Sequence, residues 1–172
     1  MGDHTETVRV EFNPQEISYS ALLEVFWAGH EPGRNTSYRQ YRNAIFALNA
    51  EQRQQAESSR QQVATRIGGP VRTDIETVER FYPAEDYHQK YYLRQAGTVF
   101  AEFKVIYPDE KQLAASTAVA RVNGYLGCNG SAEQLNAEIG SLGLSPNAQQ
   151  QLVKKLSSAC KSFQGVTCPV PQ

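Results

Sequence analysis

The residues best suited to chemistry are three cysteines in the last third of the chain, Cys128, Cys160 and Cys168. Cys128 lies in the glycine-rich stretch 124–130, just before a helix predicted to begin at Ser131, and a helix N-terminus lowers the pKa of a thiol. Cys160 falls on the apolar face of the last predicted helix, which favours a buried thiol. Cys168, in a proline-bounded tail, is predicted to be exposed and able to reach another thiol. A disulfide between Cys160 and Cys168 is an alternative that the sequence neither indicates nor excludes.

Acidic and aromatic side chains supply the other candidates. Taken alone, Glu6 is typical of a solvated carboxylate at a strand end, and Tyr41 of an aromatic residue at a strand start. Asp86 and His88 are possible metal ligands within the aromatic segment 81–92. No second His or Cys pair accompanies them at ligand spacing, so a structural loop is predicted there and no metal site.

Composition excludes several classes of function. The 172 residues carry 17 basic and 18 acidic side chains, a net charge of −1, which predicts no electrostatic binding of nucleic acid or anionic membrane. No apolar run reaches the roughly 20 residues that span a bilayer. Residues 1–11 are polar, unlike a secretory signal. Three clustered cysteines do not form a disulfide framework, so the cytoplasm is predicted, and a mitochondrial location remains open if a transit segment precedes Met1.

The elements that must position these residues alternate in the first part of the chain. Apolar alternation predicts strands at 7–12, 41–48 and 71–78. Ser18 is placed to cap one helix, and Asn49 is placed to cap a polar surface helix that ends at Gly68. This order predicts an α/β (α+β) fold, a two-layer sandwich in which helices flank a mixed sheet.

The C-terminal part is predicted to be helical. An alanine-rich helix at 111–122 is followed by a turn at 123–130, and Ser131 with Gln134 forms a capping box. Ser145 followed by proline starts the last helix. We therefore divide the chain into an α/β core, 1–108, and a helical C-terminal extension, 109–172.

Four blocks of sequence together carry a family resemblance. They are Gly-Asp-His-Thr-Glu-Thr-Val at 2–8, Leu-Leu-Glu-Val-Phe-Trp at 22–27 followed by His-Glu-Pro at 30–32, Gln-Tyr-Arg-Asn-Ala-Ile at 40–45, and Phe-Tyr-Pro-Ala-Glu-Asp-Tyr-His-Gln at 81–89. In this order and spacing the chain resembles the A-type peptide methionine sulfoxide reductases, in a divergent animal-type branch.

The resemblance implies reduction of the S epimer of methionine sulfoxide, in proteins or as the free amino acid, with no bound cofactor. A thiolate attacks the sulfoxide sulfur and becomes a sulfenic acid, a second cysteine resolves it as a disulfide, and thioredoxin or another dithiol reduces the disulfide. Glu6 matches the family's proton donor, expected to be buried with a raised pKa. His4 and Tyr41 match substrate-binding positions. Cys128, Cys160 and Cys168 are the candidate resolving or redox cysteines, with Cys128 favoured. The family's Asp before the tyrosine has no counterpart in 35–39.

The family's nucleophile lies in a Gly-Cys-Phe-Trp element, and that sequence does not occur in these 172 residues. Three interpretations remain open: a chain begun at an internal methionine, a catalytically dead paralogue that at most binds peptides, or recruitment of Cys128 as nucleophile. We expect little turnover of methionine sulfoxide with dithiothreitol from these residues alone, and a weakened core with an exposed apolar patch.

Overall fold

The computed structural model describes residues 4–160. These residues form two compact units, the first ending at Phe81 and the second beginning at Tyr82. The division drawn from the sequence, between residues 108 and 109, lies inside the second unit. The boundary lies earlier than predicted because the segment just before residue 108 is a helix that shares a core with the helices after it.

The first unit is built on a parallel βαβ arrangement. Helix α1 (Tyr19–Ala28) and a 3-10 helix (Arg39–Tyr41) precede strand β1 (Ala44–Ala47), and helix α2 (Ala50–Ile67) leads to strand β2 (Asp74–Thr77). The two strands pair in parallel over their whole length, from Ala44 opposite Asp74 to Ala47 opposite Thr77. The α/β class is confirmed, and the sheet within residues 4–160 consists of this parallel pair.

Both long helices of this unit begin and end where the sequence predicts. Ser18 Oγ accepts the backbone N–H of Ala21, and Asn49 Oδ1 accepts that of Gln52 at 2.8 Å, which satisfies donors that have no partner within the helix. Gly68 ends α2 with φ +65°, a left-handed conformation that costs glycine little.

The core of the first unit lies between α1, α2 and the sheet. Trp27 is 4% exposed, and its indole N–H donates to Ser59 Oγ of α2 at 2.9 Å, so burial of this large ring leaves no polar atom unpaired. Ala56 and Val63 are the buried residues of the otherwise polar helix α2. The buried apolar residues are Leu23, Trp27, Ile45, Ala56 and Val63.

The strand predicted at 7–12 does not form. Val8 and Val10, which should have faced a core, are 85% and 56% exposed. Alternation indicates which face of a strand could be buried, but a strand also needs a hydrogen-bonding neighbour, and among the described residues the sheet contains only β1 and β2. Val8 and Val10 therefore do not contribute to the core of the first unit.

The second unit is helical. Its elements are a 3-10 helix (Asp86–His88), α3 (Tyr91–Arg94), α4 (Gly97–Ile106), α5 (Glu110–Ala115), α6 (Thr117–Leu126), α7 (Ala132–Glu138), a 3-10 helix (Ile139–Ser141) and α8 (Pro146–Ala159). The predicted capping box at Ser131 and the start at Ser145–Pro146 are both confirmed.

One continuous apolar core joins these helices. Val99 and Phe103 of α4 are fully buried, together with Leu113 of α5 and Leu152 of α8. The sequence-based turn at 123–130 began too early, because α6 continues to Leu126 before the chain turns. Within residues 4–160, no helix combines the length and the apolar character needed to cross a bilayer.

Candidate functional site

Glu6 lies on an irregular segment that is attached to the loop before β1. Its backbone N–H donates to the Gln40 carbonyl at 2.9 Å, and Gln40 Nε2 donates to Glu6 Oε1 at 2.8 Å. The predicted burial of Glu6 is wrong, because this contact covers only one side of an otherwise exposed residue. The carboxyl is therefore fixed in position while remaining in contact with water.

Arg42 connects the same segment to the sheet. Its Nε donates to Thr5 Oγ1 at 3.1 Å, and its two terminal nitrogens donate to the two oxygens of Glu76 at 2.6 and 2.9 Å. A further bond reaches Asp74 at 3.1 Å, and the Arg42 side chain is 15% exposed. The hydrogen bond from Arg42 lowers the pKa of the Glu76 carboxyl. Arg42 thus links Thr5 to β2, through one hydrogen bond to Thr5 and a bidentate pair with Glu76.

Tyr41 is the last residue of the short 3-10 helix before β1. Its N–H donates to the Tyr38 carbonyl at 3.1 Å, and its side chain is 63% exposed. Gln40, its neighbour, is the residue that binds Glu6. The segment that carries the predicted proton donor is thus attached to the loop that carries the predicted substrate tyrosine, and His4 is exposed on the same segment as Glu6.

The side chain of Asn35 makes three hydrogen bonds within and around this loop. The residue lies in the stretch 35–39, where the family pattern has an Asp. Its Oδ1 accepts the N–H groups of Thr36 and Asn43, both at 2.9 Å, and its Nδ2 donates to the Arg72 carbonyl at 2.7 Å. A carboxylate could accept these bonds but could not donate the third. Nothing in the sequence pointed to this role beyond the presence of an asparagine in a polar loop.

A histidine that the sequence left unassigned joins α1 to the segment before β2. His30 Nδ1 lies 2.9 Å from the Phe26 carbonyl, and Nε2 lies 3.0 Å from Thr73 Oγ1. Because a carbonyl only accepts, Nδ1 donates to Phe26, while Nε2 forms the hydrogen bond with the threonine hydroxyl. The ring stacks on Trp27 at 5.6 Å, so His30 has a structural position in the first unit.

In the second unit, Cys128 and Cys160 form a disulfide across 32 residues of sequence. The prediction of Cys160 as a buried free thiol is wrong: α8 places it at its own C-terminus, where the turn after α6 presents Cys128. The open alternative of a Cys160–Cys168 bond does not hold in this structure, since Cys160 is already bonded, and Cys168 lies outside the described residues. The pairing joins two of the three candidate redox cysteines.

The turn that carries Cys128 is tightly packed. Cys128 itself has φ +62°, uncommon for a residue other than glycine, and its N–H donates to the Tyr125 carbonyl at 2.9 Å. A Cβ at Gly127 would lie 2.8 Å from the ring of Tyr92, and one at Gly130 would lie 2.6 Å from the ring of Tyr125. Both glycines are therefore required by close approach of an aromatic ring.

Tyr125 forms the buried side of this turn. Its hydroxyl donates to Glu138 Oε1 at 2.5 Å, and the same carboxylate pairs with Arg121. Burial, and then the bond to Glu138, raises the pKa of Tyr125 to about 12. The phenol therefore stays protonated over the physiological range and holds α6 to α7.

The segment proposed as a structural loop forms the 3-10 helix at Asp86–His88. The side chains of Tyr87 and His88 lie against each other, with ring centroids 4.2 Å apart, and His88 Nε2 lies 4.0 Å from Glu85 Oε2. Within residues 4–160, no three His, Cys, Asp or Glu side chains are gathered as a metal-ligand group.

Comparison with known proteins gives a consistent result. Residues 1–119 match the model described as peptide methionine sulfoxide reductase, and residues 108–157 match the helical domain of selenoprotein methionine sulfoxide reductase A. A peptide methionine sulfoxide reductase of Drosophila melanogaster is 38% identical over 152 residues, 87% of this chain and 61% of the relative. Peptide methionine sulfoxide reductase A5 of Oryza sativa is 33% identical over 94% of this chain and 59% of the relative.

A bacterial relative matches over a shorter range. Peptide methionine sulfoxide reductase MsrA of Azotobacter vinelandii is 44% identical over 103 residues, 55% of this chain and 48% of the relative. The chain thus spans between about half and three fifths of the length of these relatives. The predicted resemblance is confirmed, and the chain belongs to the peptide methionine sulfoxide reductase family.

Proposed function

We propose that this chain takes part in the reduction of the S epimer of methionine sulfoxide in peptides and proteins, the repair of an oxidative lesion. The observation that carries the proposal is the family match over residues 1–119, which includes the loop where Glu6 and Tyr41 lie. The relatives named above are peptide methionine sulfoxide reductases, and this chain is similar to them over its two units.

Glu6 is the proposed proton donor. When a thiolate attacks the sulfoxide sulfur, the S–O bond breaks and the oxygen requires protons, so an acid must lie next to it. Gln40 orients the Glu6 carboxyl, and the match of Glu6 to the family's proton donor, rather than its surroundings, supports this role. The hydroxyl of Tyr41, also exposed, is proposed to donate a hydrogen bond to the same oxygen.

Cys128 and Cys160 are proposed to carry the oxidising equivalents away. A sulfenic acid condenses with a thiol to give a disulfide and water, and a disulfide then exchanges with another thiol pair. The Cys128–Cys160 disulfide is two electrons more oxidised than the two free thiols, so the second unit can store two oxidising equivalents in this bond. Thioredoxin is the proposed final reductant and the cytoplasm the proposed compartment, because a reducing cytosol supplies protein dithiols.

A binding experiment tests the substrate assignment independently of any thiol. Calorimetric titration with a peptide containing (S)-methionine sulfoxide, and with its methionine counterpart, measures the preference for the sulfoxide oxygen. We expect the protein to bind the sulfoxide peptide more tightly. Loss of one hydrogen bond in Tyr41→Phe should weaken that preference roughly threefold to tenfold.

Tyr38 provides the matched control, since its side chain is 61% exposed in the same loop but has no assigned contact with substrate. Tyr38→Phe should keep the preference of the unaltered protein. Equal binding of both peptides, or equal effects of Tyr38→Phe and Tyr41→Phe, would count against the assignment.

Turnover assays identify the attacking thiol. Methionine formation from the same peptide is followed with dithiothreitol as reductant, in single Ser variants of the three cysteines. Turnover that persists without Cys160 and without Cys168 but is lost in Cys128→Ser would assign the attack to Cys128. Where turnover is measurable, Glu6→Gln should lower it about 100-fold or more, as removal of a general acid does.

A further inference from the structure

Two neighbouring tyrosines form an exposed aromatic surface on the second unit. The side chains of Tyr91 and Tyr92 are 59% and 49% exposed. Their rings lie edge to face with centroids 5.7 Å apart. We call these two residues the tyrosine pair. Exposed aromatic side chains next to each other are unusual on a surface with no partner, because each leaves a large apolar area in water.

The tyrosine pair lies directly beside the disulfide turn. The ring of Tyr92 packs so closely on Gly127 that a Cβ there would be 2.8 Å away, and Cys128 is the next residue. The backbone N–H of Leu93 donates to Asn123 Oδ1 of α6 at 3.2 Å, and Leu93 is fully buried. Helix α3 is thus anchored to α6, so the tyrosine pair and the turn keep a fixed relation to each other.

We propose that the tyrosine pair is the docking surface for a protein dithiol that reduces the Cys128–Cys160 bond. The proposal rests on the proposed function, because it takes this disulfide to be opened during turnover. Thiol–disulfide exchange requires direct approach of one sulfur to another, so a surface that adjoins the bond is covered by the reductant when it reacts. Tyrosine is among the residues that contribute most to binding at protein interfaces.

The exchange proceeds at Cys128. One thiolate of the partner attacks Cys128 Sγ, the bond to Cys160 breaks, and Cys160 leaves as a thiolate that takes up a proton. The partner's second thiol, after losing its proton, attacks the mixed disulfide and releases Cys128 as a thiolate, which is protonated in turn. Two electrons and two protons pass from the partner to this chain. Cys128 is the point of attack because Tyr92 adjoins its turn, whereas Cys160 packs against the apolar core.

The test compares a protein reductant with a small one. Reduction of the disulfide in the purified protein is followed in a Cys168→Ser background, with reduced thioredoxin as the protein probe and dithiothreitol as the small probe. Tyr91→Ser removes an exposed ring that makes no close contact with Gly127. We expect the second-order rate with thioredoxin to fall about fivefold or more, a typical loss for a central interface residue, while the rate with dithiothreitol changes less than twofold.

Tyr87→Ser is the matched control, because Tyr87 is 63% exposed in the same unit and its ring lies against His88. Its rates with both reductants should equal those of the unaltered protein. The proposal is overturned if Tyr91→Ser leaves the thioredoxin rate unchanged, if both reductants slow equally, or if Tyr87→Ser slows thioredoxin as much as Tyr91→Ser does.

A trapping experiment tests the point of attack. Thioredoxin whose second active-site cysteine is replaced by serine should stop at the mixed disulfide, and peptide mapping should locate it on Cys128. A mixed disulfide on Cys160 would overturn this part of the proposal. These readouts use no methionine sulfoxide, so loss of the sulfoxide preference in the peptide titration would refute the proposed function without changing them.

Discussion

Replacing Arg42 with methionine should remove the side-chain link between Thr5 and β2 and destabilise the first unit. Methionine keeps much of the length of the side chain but removes the bonds to Thr5, Asp74 and Glu76. The two carboxylates then lose the cation between them, and Thr5 loses one of its links to the loop.

The expected cost lies between two known limits. Breaking a fully buried ion pair costs about 3–5 kcal/mol, and breaking an exposed one costs about 0–1 kcal/mol. The Arg42 side chain is only 15% exposed, but Asp74 and Glu76 are 45% and 41% exposed and can regain water. We therefore expect a loss of about 2 kcal/mol, which lowers the urea midpoint by roughly 1 M for a slope near 2 kcal/mol per M.

Trp27 makes the assay specific to this unit, since it is the one tryptophan in the sequence and is 4% exposed. Its fluorescence in urea reports unfolding of the first unit. Arg34→Met is the matched control, because its ion pair with Glu31 is 84% and 72% exposed, and it should cost less than about 1 kcal/mol. Equal losses in the two variants would refute the reasoning.

The pH dependence provides a second check on Arg42. The pKa of Glu76 is lowered in the folded protein, so its contribution is present above the ordinary value near 4.5 and is lost as pH falls through the folded value. The stability of the unaltered protein and of Arg42→Met should therefore converge below that pH. Curves that stay parallel at every acidic pH at which the protein is still folded would contradict the assignment.

Three further predictions concern tyrosines. Tyr19 has a buried hydroxyl with no hydrogen-bond partner among the described residues. Tyr19→Phe should therefore raise the free energy of unfolding by about 1 kcal/mol, measured as a higher urea midpoint by fluorescence. A lower midpoint would indicate that the hydroxyl has a partner. Gly130→Ala should lower the thermal midpoint of the helical signal at 222 nm, because the new Cβ meets the ring of Tyr125; an unchanged midpoint would contradict that contact. The pKa of Tyr125 is raised to about 12, so its stabilisation is complete below pH 10 and is lost as pH rises through 12; Tyr125→Phe should remove that alkaline loss in the same assay, and a persisting loss would assign it elsewhere.

Local signals in the sequence were sufficient where structure is decided locally. Helix α2 begins at its asparagine cap and ends at Gly68, because both signals act within one turn of helix. The strand predicted at 7–12 was wrong for the opposite reason: alternation shows which face could be buried, but not whether a neighbouring strand exists. The turn at 123–130 was predicted from its glycines and asparagines, but α6 continues to Leu126. Asn123 lies within this helix, and its side chain accepts the N–H of Leu93 from α3.

The site shows the same limit. The family blocks predicted Glu6 and Tyr41 as site residues, and their roles stay predictions; the structure attaches the segment of Glu6 to the loop of Tyr41 through Gln40. The exposure of Glu6 could not be predicted, because it depends on what covers the segment rather than on the segment's own sequence. The bond between Cys128 and Cys160 depends on how α6 and α8 pack, and spacing along the chain contains no information about that contact.

The disulfide also connects redox state with the rigidity of the second unit. Closing a loop of 32 residues removes chain entropy from the unfolded state worth about 3.7 kcal/mol at 25 °C, a large share of the 5–15 kcal/mol typical of a domain. Each reduction of the bond would remove that contribution and each reoxidation would restore it. Helix α7 lies inside the loop, so its amide hydrogens should exchange with solvent faster in the reduced protein. The rate of this exchange would therefore report whether the disulfide is oxidised or reduced.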